Sequence, residues 1–200
     1  SWKIIGGVLA VAVPSVLVFL SIVMQEGQTL IKDYQRDRIM AFFDPATYAD
    51  TEAYQQLNSV IAIGSGQLWG KGLNNTDIAS VKNGNFLPES QTDFIFAVIG
   101  EELGFVGSAV VILLLILIAM RCVSIARVAK DTAGMVIAAG MGSLIGIQGF
   151  MNIAVATMMM PNTGLPLPFV SYGLSSLVSM YIGIGFVLNV GLQRKNLYNL

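Results

Sequence analysis

The chain has 200 residues, 54% of them hydrophobic and 12% charged, about half the charged share usual in soluble domains. Its 11 Lys and Arg against 12 Asp and Glu leave a net charge of −1, with no histidine and one cysteine, Cys122. These figures exclude a basic nucleic-acid binder, a disulfide framework, a thiolate or histidine metal site and every histidine-based triad. Any chemistry must rest on carboxylates, hydroxyls and cations.

Residues 4–25, 103–120 and 132–193 carry no formal charge. Some 20 apolar residues cross a bilayer core, so the chain reads as an integral membrane protein, all-α and polytopic. The first span is expected at about 4–24. It is too long for a signal peptide, and Gln25-Glu26-Gly27 is a poor cleavage site. After it, 31–43 alternates apolar and charged residues with helical period. Ile31, Tyr34, Ile39 and Phe42 can share one side, and Lys32, Asp33 and Arg36 another. This pattern fits either an interfacial helix or a solvated charged face, stopped by Asp44-Pro45.

A second short helix is expected over 54–63, apolar at Tyr54, Leu57, Val60 and Ile61. It runs into Gly64-Ser-Gly-Gln-Leu-Trp-Gly-Lys-Gly72, which resembles a phosphate loop but fails the Walker pattern and reads as a turn. Farther on, Ser90-x-x-Asp93 before an apolar run resembles a capping box, which would make Asp93 a cap. A carboxylate at the membrane edge can instead act as a general base. Glu101 and Glu102 stand where the next span, 103–120, begins, and are costly there unless paired or wetted.

The uncharged run 132–193 holds two further spans, expected at about 133–158 and 173–192. Gly134, Ala138, Gly142 and Gly146 suggest a helix-packing face in the first of them. Between the two, Pro161-Asn-Thr-Gly-Leu-Pro-Leu-Pro168 breaks the helix. Segment 159–172 is therefore expected to be re-entrant or interfacial, sheltered by protein or lining a cavity. Four spans put Lys3, Arg121, Arg127, Lys130, Arg194 and Lys195 on one side against a single acid, Asp131. The positive-inside rule makes that side cytoplasmic. Segment 25–102, with five cations and eleven acids, is then the extracytoplasmic loop of a single membrane domain, 1–200.

Residues 86–107, Phe86-Leu-Pro-Glu-Ser-Gln-Thr-Asp-Phe-Ile-Phe-Ala-Val-Ile-Gly-Glu-Glu-Leu-Gly-Phe-Val-Gly107, closely resemble the signature of the shape, elongation, division and sporulation family, which includes RodA, FtsW and SpoVE. Other blocks agree in order. They are Tyr54-Gln55-Gln56 with Ile61 to Leu73, then Asn152-Ile153, then Gly164-Leu-Pro-Leu-Pro-Phe-Val-Ser-Tyr-Gly173 leading to Gly185-Phe-Val-Leu-Asn-Val190. The resemblance implies a fold of ten membrane helices, of which this chain resembles the last four, with a large outer loop containing short helices. It implies a peptidoglycan glycosyltransferase that polymerises lipid II into glycan strands outside the bacterial cytoplasmic membrane. A class B penicillin-binding protein is the implied partner, beside membrane lipids; no nucleic acid is.

The family's essential aspartate maps onto Asp93, which would take the proton of the attacking sugar hydroxyl. An ordinary aspartate, with a pKa of ~3.9, is a weak base, so positioning of the substrates should supply much of the rate. The leaving diphosphate needs cations, and Lys71 is the first candidate, with Arg36, Arg38 and Lys82 behind it. Glu89 and Gln91 are candidates for substrate binding, Gln91 standing where many RodA proteins have His. Ser171 and Tyr172 could bond substrate or stabilise the broken backbone. Leu174 departs from the family's frequent Ser-Tyr-Gly-Gly. No cofactor is implied with certainty, and a divalent cation is left open because no carboxylate cluster marks a site. A lipid II flippase or a non-catalytic scaffold are the competing readings. Against a transporter, the spans carry no charge to couple ions.

Overall fold

The structure is a computed structural model describing residues 31–73 and 91–193, together with 6, 7, 10–12, 14, 15, 18 and 21. Much of the first expected span, 4–24, and all of 74–90 lie outside the described residues. Every regular element among the described residues is helical. The chain forms two compact units, Ser1–Tyr54 and Gln55–Leu200.

In the first unit, α1 (Asp33–Phe43) begins where the Lys32 N–H donates to Gln35 Oε1 at 3.2 Å. It ends at the expected Asp44-Pro45. The Asp44 N–H still reaches Met40 O at 2.9 Å, and its carboxylate accepts the Thr47 hydroxyl at 2.6 Å. The residue before a proline is driven out of helical conformation, which fixes this boundary. Arg38 lies over the Tyr34 ring at 5.9 Å.

The second unit holds α2 from its second residue onward (Tyr54–Ser65), α3 (Ile95–Arg127), α4 (Thr132–Ala156) and α5 (Leu174–Leu192). Helices α3, α4 and α5 are each long and apolar enough to cross a membrane. Most of their large side chains face outward, as Leu113, Leu117, Ile147, Phe150, Tyr181 and Phe186 do. That suits a lipid solvent and would be a liability in water. Where α3 meets α4, Gly142 lies so close that an added Cβ would sit 3.0 Å from Ala119 O and 3.1 Å from Cys122 Cβ. Gly134, Ala138, Gly142, Ile145, Gly149 and Asn152 form the buried stripe of α4. The expected small-residue face thus bends away at Gly146, which is exposed, and continues through Gly149. The stripe steps by three and four residues, as helical packing demands.

The expected short helix is α2, on which Val60 and Ile61 are exposed while Gln56, Ser59 and Ala62 are buried. The reason lies at the end of α4. There Gln56 Nε2 donates to Val155 O at 3.0 Å and Met160 O at 2.8 Å, and Ser59 Oγ donates to Ala156 O at 2.7 Å. Backbone bonds from Met158 N–H to Val155 O and Met159 N–H to Ala154 O close the same helix end, with Met158 left-handed at φ 58. This is a Schellman arrangement with a methionine where glycine is usual.

Helix α3 starts at Ile95, eight residues ahead of the span expected at 103–120, so Glu101 and Glu102 lie inside the helix. The helix is interrupted at Gly104 (φ 66, ψ −163), a conformation essentially reserved for glycine. In an unbroken helix, Phe105 and Val106 would donate to Glu101 and Glu102. Here the loop after α2 takes all four groups. Lys71 and Gly72 N–H donate to Glu101 O and Glu102 O at 2.9 and 3.0 Å. Phe105 and Val106 N–H donate to Gln67 O and Leu68 O at 2.8 and 3.2 Å. Gly66 and Gly70 allow this approach, since a Cβ on either would collide with Gly100 O or Glu102 O.

Replacing Gly104 by Ala should lower the stability of the full-length protein in detergent by about 1–3 kcal/mol, the cost of such a strained conformation. Gly146→Ala, whose Cβ would meet nothing nearer than 4.0 Å, should leave the thermal unfolding midpoint unchanged. Equal effects of the two would show that the break at Gly104 is not what the loop is built around.

Candidate functional site

Residues 91–94 form a turn ahead of α3. The N-cap of α3 is Phe94, and no side chain caps it. Asp93 therefore precedes the helix and is not the N3 acid of a capping box. Instead the backbone of this turn is gripped at three successive carbonyls. Gln91 O accepts from Tyr172 N–H at 2.8 Å, Thr92 O from Ser171 Oγ at 2.6 Å, and Asp93 O from Asn152 Nδ2 at 2.7 Å. Asp93 is half-buried, and Phe94 beside it is fully enclosed.

The grip comes from the proline-rich segment between α4 and α5, which is itself held by α4. Gln148 and Asn152 lie one helical turn apart and so share a face. Gln148 Nε2 donates to Pro166 O at 2.9 Å, and Asn152 Nδ2 to Leu165 O at 2.7 Å. Ser171 Oγ also accepts Leu167 N–H at 2.6 Å. Prolines at 161, 166 and 168 offer carbonyls but no N–H, so side-chain amides supply the donors that the backbone lacks. Phe169, left-handed at φ 63, packs edge-on to Tyr181 of α5 at 5.7 Å.

Beside the turn lies a cleft of about 390 Å³ lined by Gln91, Glu102 and Tyr172 among apolar neighbours such as Leu73, Ile99 and Leu103. Its width and its mixture of carboxylate, amide and exposed phenol suit a polar head group on an apolar tail. Glu102 is buried at the base of this wall, and Glu101 is enclosed on the other side of the helix turn. Lys71 reaches Glu101 Oε1 at 2.8 Å, its side chain 28% exposed and that of Glu101 1%. The N–H groups of Gly66, Gln67, Gly70, Lys71 and Gly72 are committed to protein carbonyls, those of Lys71 and Gly72 to the broken helix, so this part of the loop serves as a backbone splice.

The structure thus brings together Gln91, Asp93, Ser171 and Tyr172, and joins Lys71 to the same helix through Glu101. Ser171 is buried and bonded on both sides, a backbone role, whereas Tyr172 is exposed and its ring is presented outward. Glu89 and Lys82 lie outside the described residues. Among the described residues no three His, Cys, Asp or Glu side chains cluster as metal ligands.

The profile of the FtsW, RodA and SpoVE family, described as cell cycle protein, matches residues 1–196. The chain belongs to this family. It is 41% identical over 197 residues to the peptidoglycan glycosyltransferase MrdB of Escherichia coli K12, covering 98% of the chain and 50% of that protein. It is 39% identical over 163 residues to the probable peptidoglycan glycosyltransferase FtsW of Geobacter metallireducens, covering 82% of the chain and 42% of that protein. A solved structure described as "Structural coordination of polymerization and crosslinking by a peptidoglycan synthase complex" superposes with a TM-score of 0.67 at 28% identity. That match covers 97% of the chain and 50% of the solved one. The chain spans about half the length of the curated relatives it matches.

Within this family member, Asn152, Glu101 and Glu102, which sequence reasoning left out of the site, lie in or against it, and Gln148 holds the proline-rich loop at Pro166 without bonding to residues 91–93. Two carried a signal. An asparagine and a glutamine in an otherwise apolar span must find partners there, and their four-residue spacing puts them on one face. Lys71 and Glu101, 30 residues apart, had no periodicity to connect them.

Removing Lys71 takes away the ammonium 2.8 Å from the enclosed Glu101 carboxylate, and losing one partner of such a pair costs more than losing both. Lys71→Met should therefore destabilise the full-length protein more than Lys71→Met combined with Glu101→Gln. A double-mutant cycle on thermal unfolding should return a coupling of about 1–3 kcal/mol. Strict additivity would mean that the pair is exposed and screened in solution.

Proposed function

We propose that the protein is a peptidoglycan glycosyltransferase that polymerises lipid II into glycan strands at the outer face of the bacterial cytoplasmic membrane. It would serve the cell-wall machinery of elongation, division or sporulation. The observation that carries this reading is the turn 91–93, where a half-buried aspartate stands beside a head-group-sized cleft with its backbone held at three successive carbonyls. The names of the relatives, peptidoglycan glycosyltransferases from two lineages, support it.

In this reading the 4-hydroxyl of an acceptor N-acetylglucosamine attacks the anomeric carbon of a second lipid-linked chain. The C1–oxygen bond to the diphosphate breaks with inversion, the hydroxyl proton passes to Asp93, and the lipid diphosphate leaves. Lys71, its position fixed by Glu101, supplies positive charge toward the diphosphate. Gln91, Tyr172 and Glu89 contact sugar or peptide, and Ser171 holds the loop that carries them. The weak base is compensated by geometry: both lipid substrates are confined to the membrane plane and presented to a fixed carboxylate.

The chain then contributes four spans, at about 4–24, 103–120, 133–158 and 173–192. Lys3, Arg121, Arg127, Lys130, Arg194 and Lys195, against the single acid Asp131, make their side cytoplasmic and so put segment 25–102 outside. Segment 159–172 is re-entrant or interfacial, which suits a stretch whose carbonyls are satisfied by side-chain amides. A class B penicillin-binding protein is the partner. The solved relative, described by polymerization and crosslinking within one synthase complex, supports that choice.

Asp93→Asn in the full-length protein should lower lipid II polymerisation by at least about 100-fold, as loss of a general base does, while thermal unfolding stays as in the parent. Glycan synthesis at the parental rate, with expression matched, would remove Asp93 from the chemistry. Translocation of lipid II across reconstituted vesicles without polymer would favour a flippase instead.

A further inference from the structure

We propose that Asn152 is a positioning residue for the Asp93 carboxylate: by donating to the Asp93 and Leu165 carbonyls at once, it sets where the base stands relative to the proline-rich loop. This inference rests on the reading of Asp93 as the base and adds the residue that places it.

Both hydrogens of the Asn152 amide are committed. Nδ2 lies 2.7 Å from Asp93 O and 2.7 Å from Leu165 O, and the side chain is 1% exposed. The amide oxygen, Oδ1, is buried with no hydrogen-bond partner. A buried unpaired acceptor is costly. Flipping the amide would give no relief, because it would set Oδ1 against two carbonyl oxygens. The orientation is therefore forced by the two acceptors, and the unpaired oxygen is its consequence. An apolar side chain would fill the same space without that cost but would release both carbonyls.

In this one side chain α4, the loop and the aspartate's own residue meet. Ser171 and Tyr172 hold residues 92 and 91, each from the loop alone. Gln148 holds the loop at Pro166 by the same kind of bond and makes none to 91–93. Gln148 is thus an internal control: its loss loosens the loop without releasing Asp93. A peptide unit freed at Asp93 can turn, and turning it swings the carboxylate relative to the substrate. Misplacement of a reacting group by about 1 Å costs on the order of 100-fold in rate.

The test uses the full-length protein with lipid II at varied concentration, alongside amide hydrogen exchange over 93–97. Asn152→Ala removes both donors. Asn152→Leu keeps shape and volume but can donate to neither carbonyl, which covers the case in which the alanine variant fails to fold. Both should lower kcat by about 100-fold with KM changed less than about twofold. Exchange over 93–97 should accelerate, and Gln148→Ala should keep kcat within about threefold of the parent. A kcat near the parent's in Asn152→Leu, a change confined to KM, or an equal loss in Gln148→Ala overturns the assignment. Asp93→Asn, run in parallel, separates the two readings. If it still polymerises, the base assignment fails, and with it the catalytic part of this inference. Unchanged exchange over 93–97 in the Asn152 variants instead refutes the positioning role while leaving Asp93 as the base.

Discussion

The architecture depends on one constraint: backbone that leaves a helix in apolar surroundings must find partners for every polar group it frees. Water is not there to accept or donate, and each unsatisfied group costs several kcal/mol, by order of magnitude. The break at Gly104 frees Glu101 O, Glu102 O, Phe105 N–H and Val106 N–H, and residues 67–72 take all four. The insertion is a stretch of turn backbone paired to the broken helix in an otherwise helical unit. It explains the glycines at 66, 70 and 104 together, since each lies where a Cβ would strike the opposing backbone. It also explains why a loop that resembles an anion cradle turns its Lys71 and Gly72 N–H groups to α3 instead.

The same constraint shapes the second break. Where α4 ends, its carbonyls go to Gln56, Ser59 and the left-handed Met158 turn. Beyond it, the proline-rich segment has carbonyls without matching N–H groups, and Gln148 and Asn152 supply donors, while Ser171 accepts Leu167 N–H and donates to Thr92 O. Buried side-chain amides here do what backbone does elsewhere. The turn 91–93 is tied into this network at each residue. The segment 91–106 is therefore fixed from two directions, by the proline loop at its start and by the glycine loop at its break.

The helices were legible in the sequence where charge was absent and periodicity was plain. The uncharged runs 103–120, 133–158 and 173–192 fall on or against α3, α4 and α5, and Asp44-Pro45 marks the end of α1. Three features were not legible, each for a physical reason. The early start of α3 was hidden because Glu101 and Glu102 look like a membrane edge until Lys71 is known to neutralise one of them. The inward polar face of α2 was hidden because hydropathy assigns Gln56 and Ser59 to solvent, and only the distant end of α4 gives them a reason to be buried. The local Ser90-x-x-Asp93 pattern misled because capping boxes are read from spacing alone, whereas the helix start is set by tertiary bonds at 91–93. Site residues were legible mainly through family likeness; spacing alone did not connect Asp93, Ser171 and Tyr172.

The placement of charge completes the picture. Glu101 is enclosed, and its ammonium partner sits on the loop that repairs the break at Gly104. The ion pair and the backbone splice therefore share one register: sliding the loop by a residue would break four backbone bonds and the ion pair together. A surface ion pair alone would contribute little, and a buried pair has its best-attested value in specifying one arrangement over others. Coupling the pair to the splice gives it that role. The loop has one seating on α3, and that seating also fixes where Lys71 presents its remaining protons. A cation held in this way can meet an incoming anion without first being ordered, which is what electrostatic preorganisation requires.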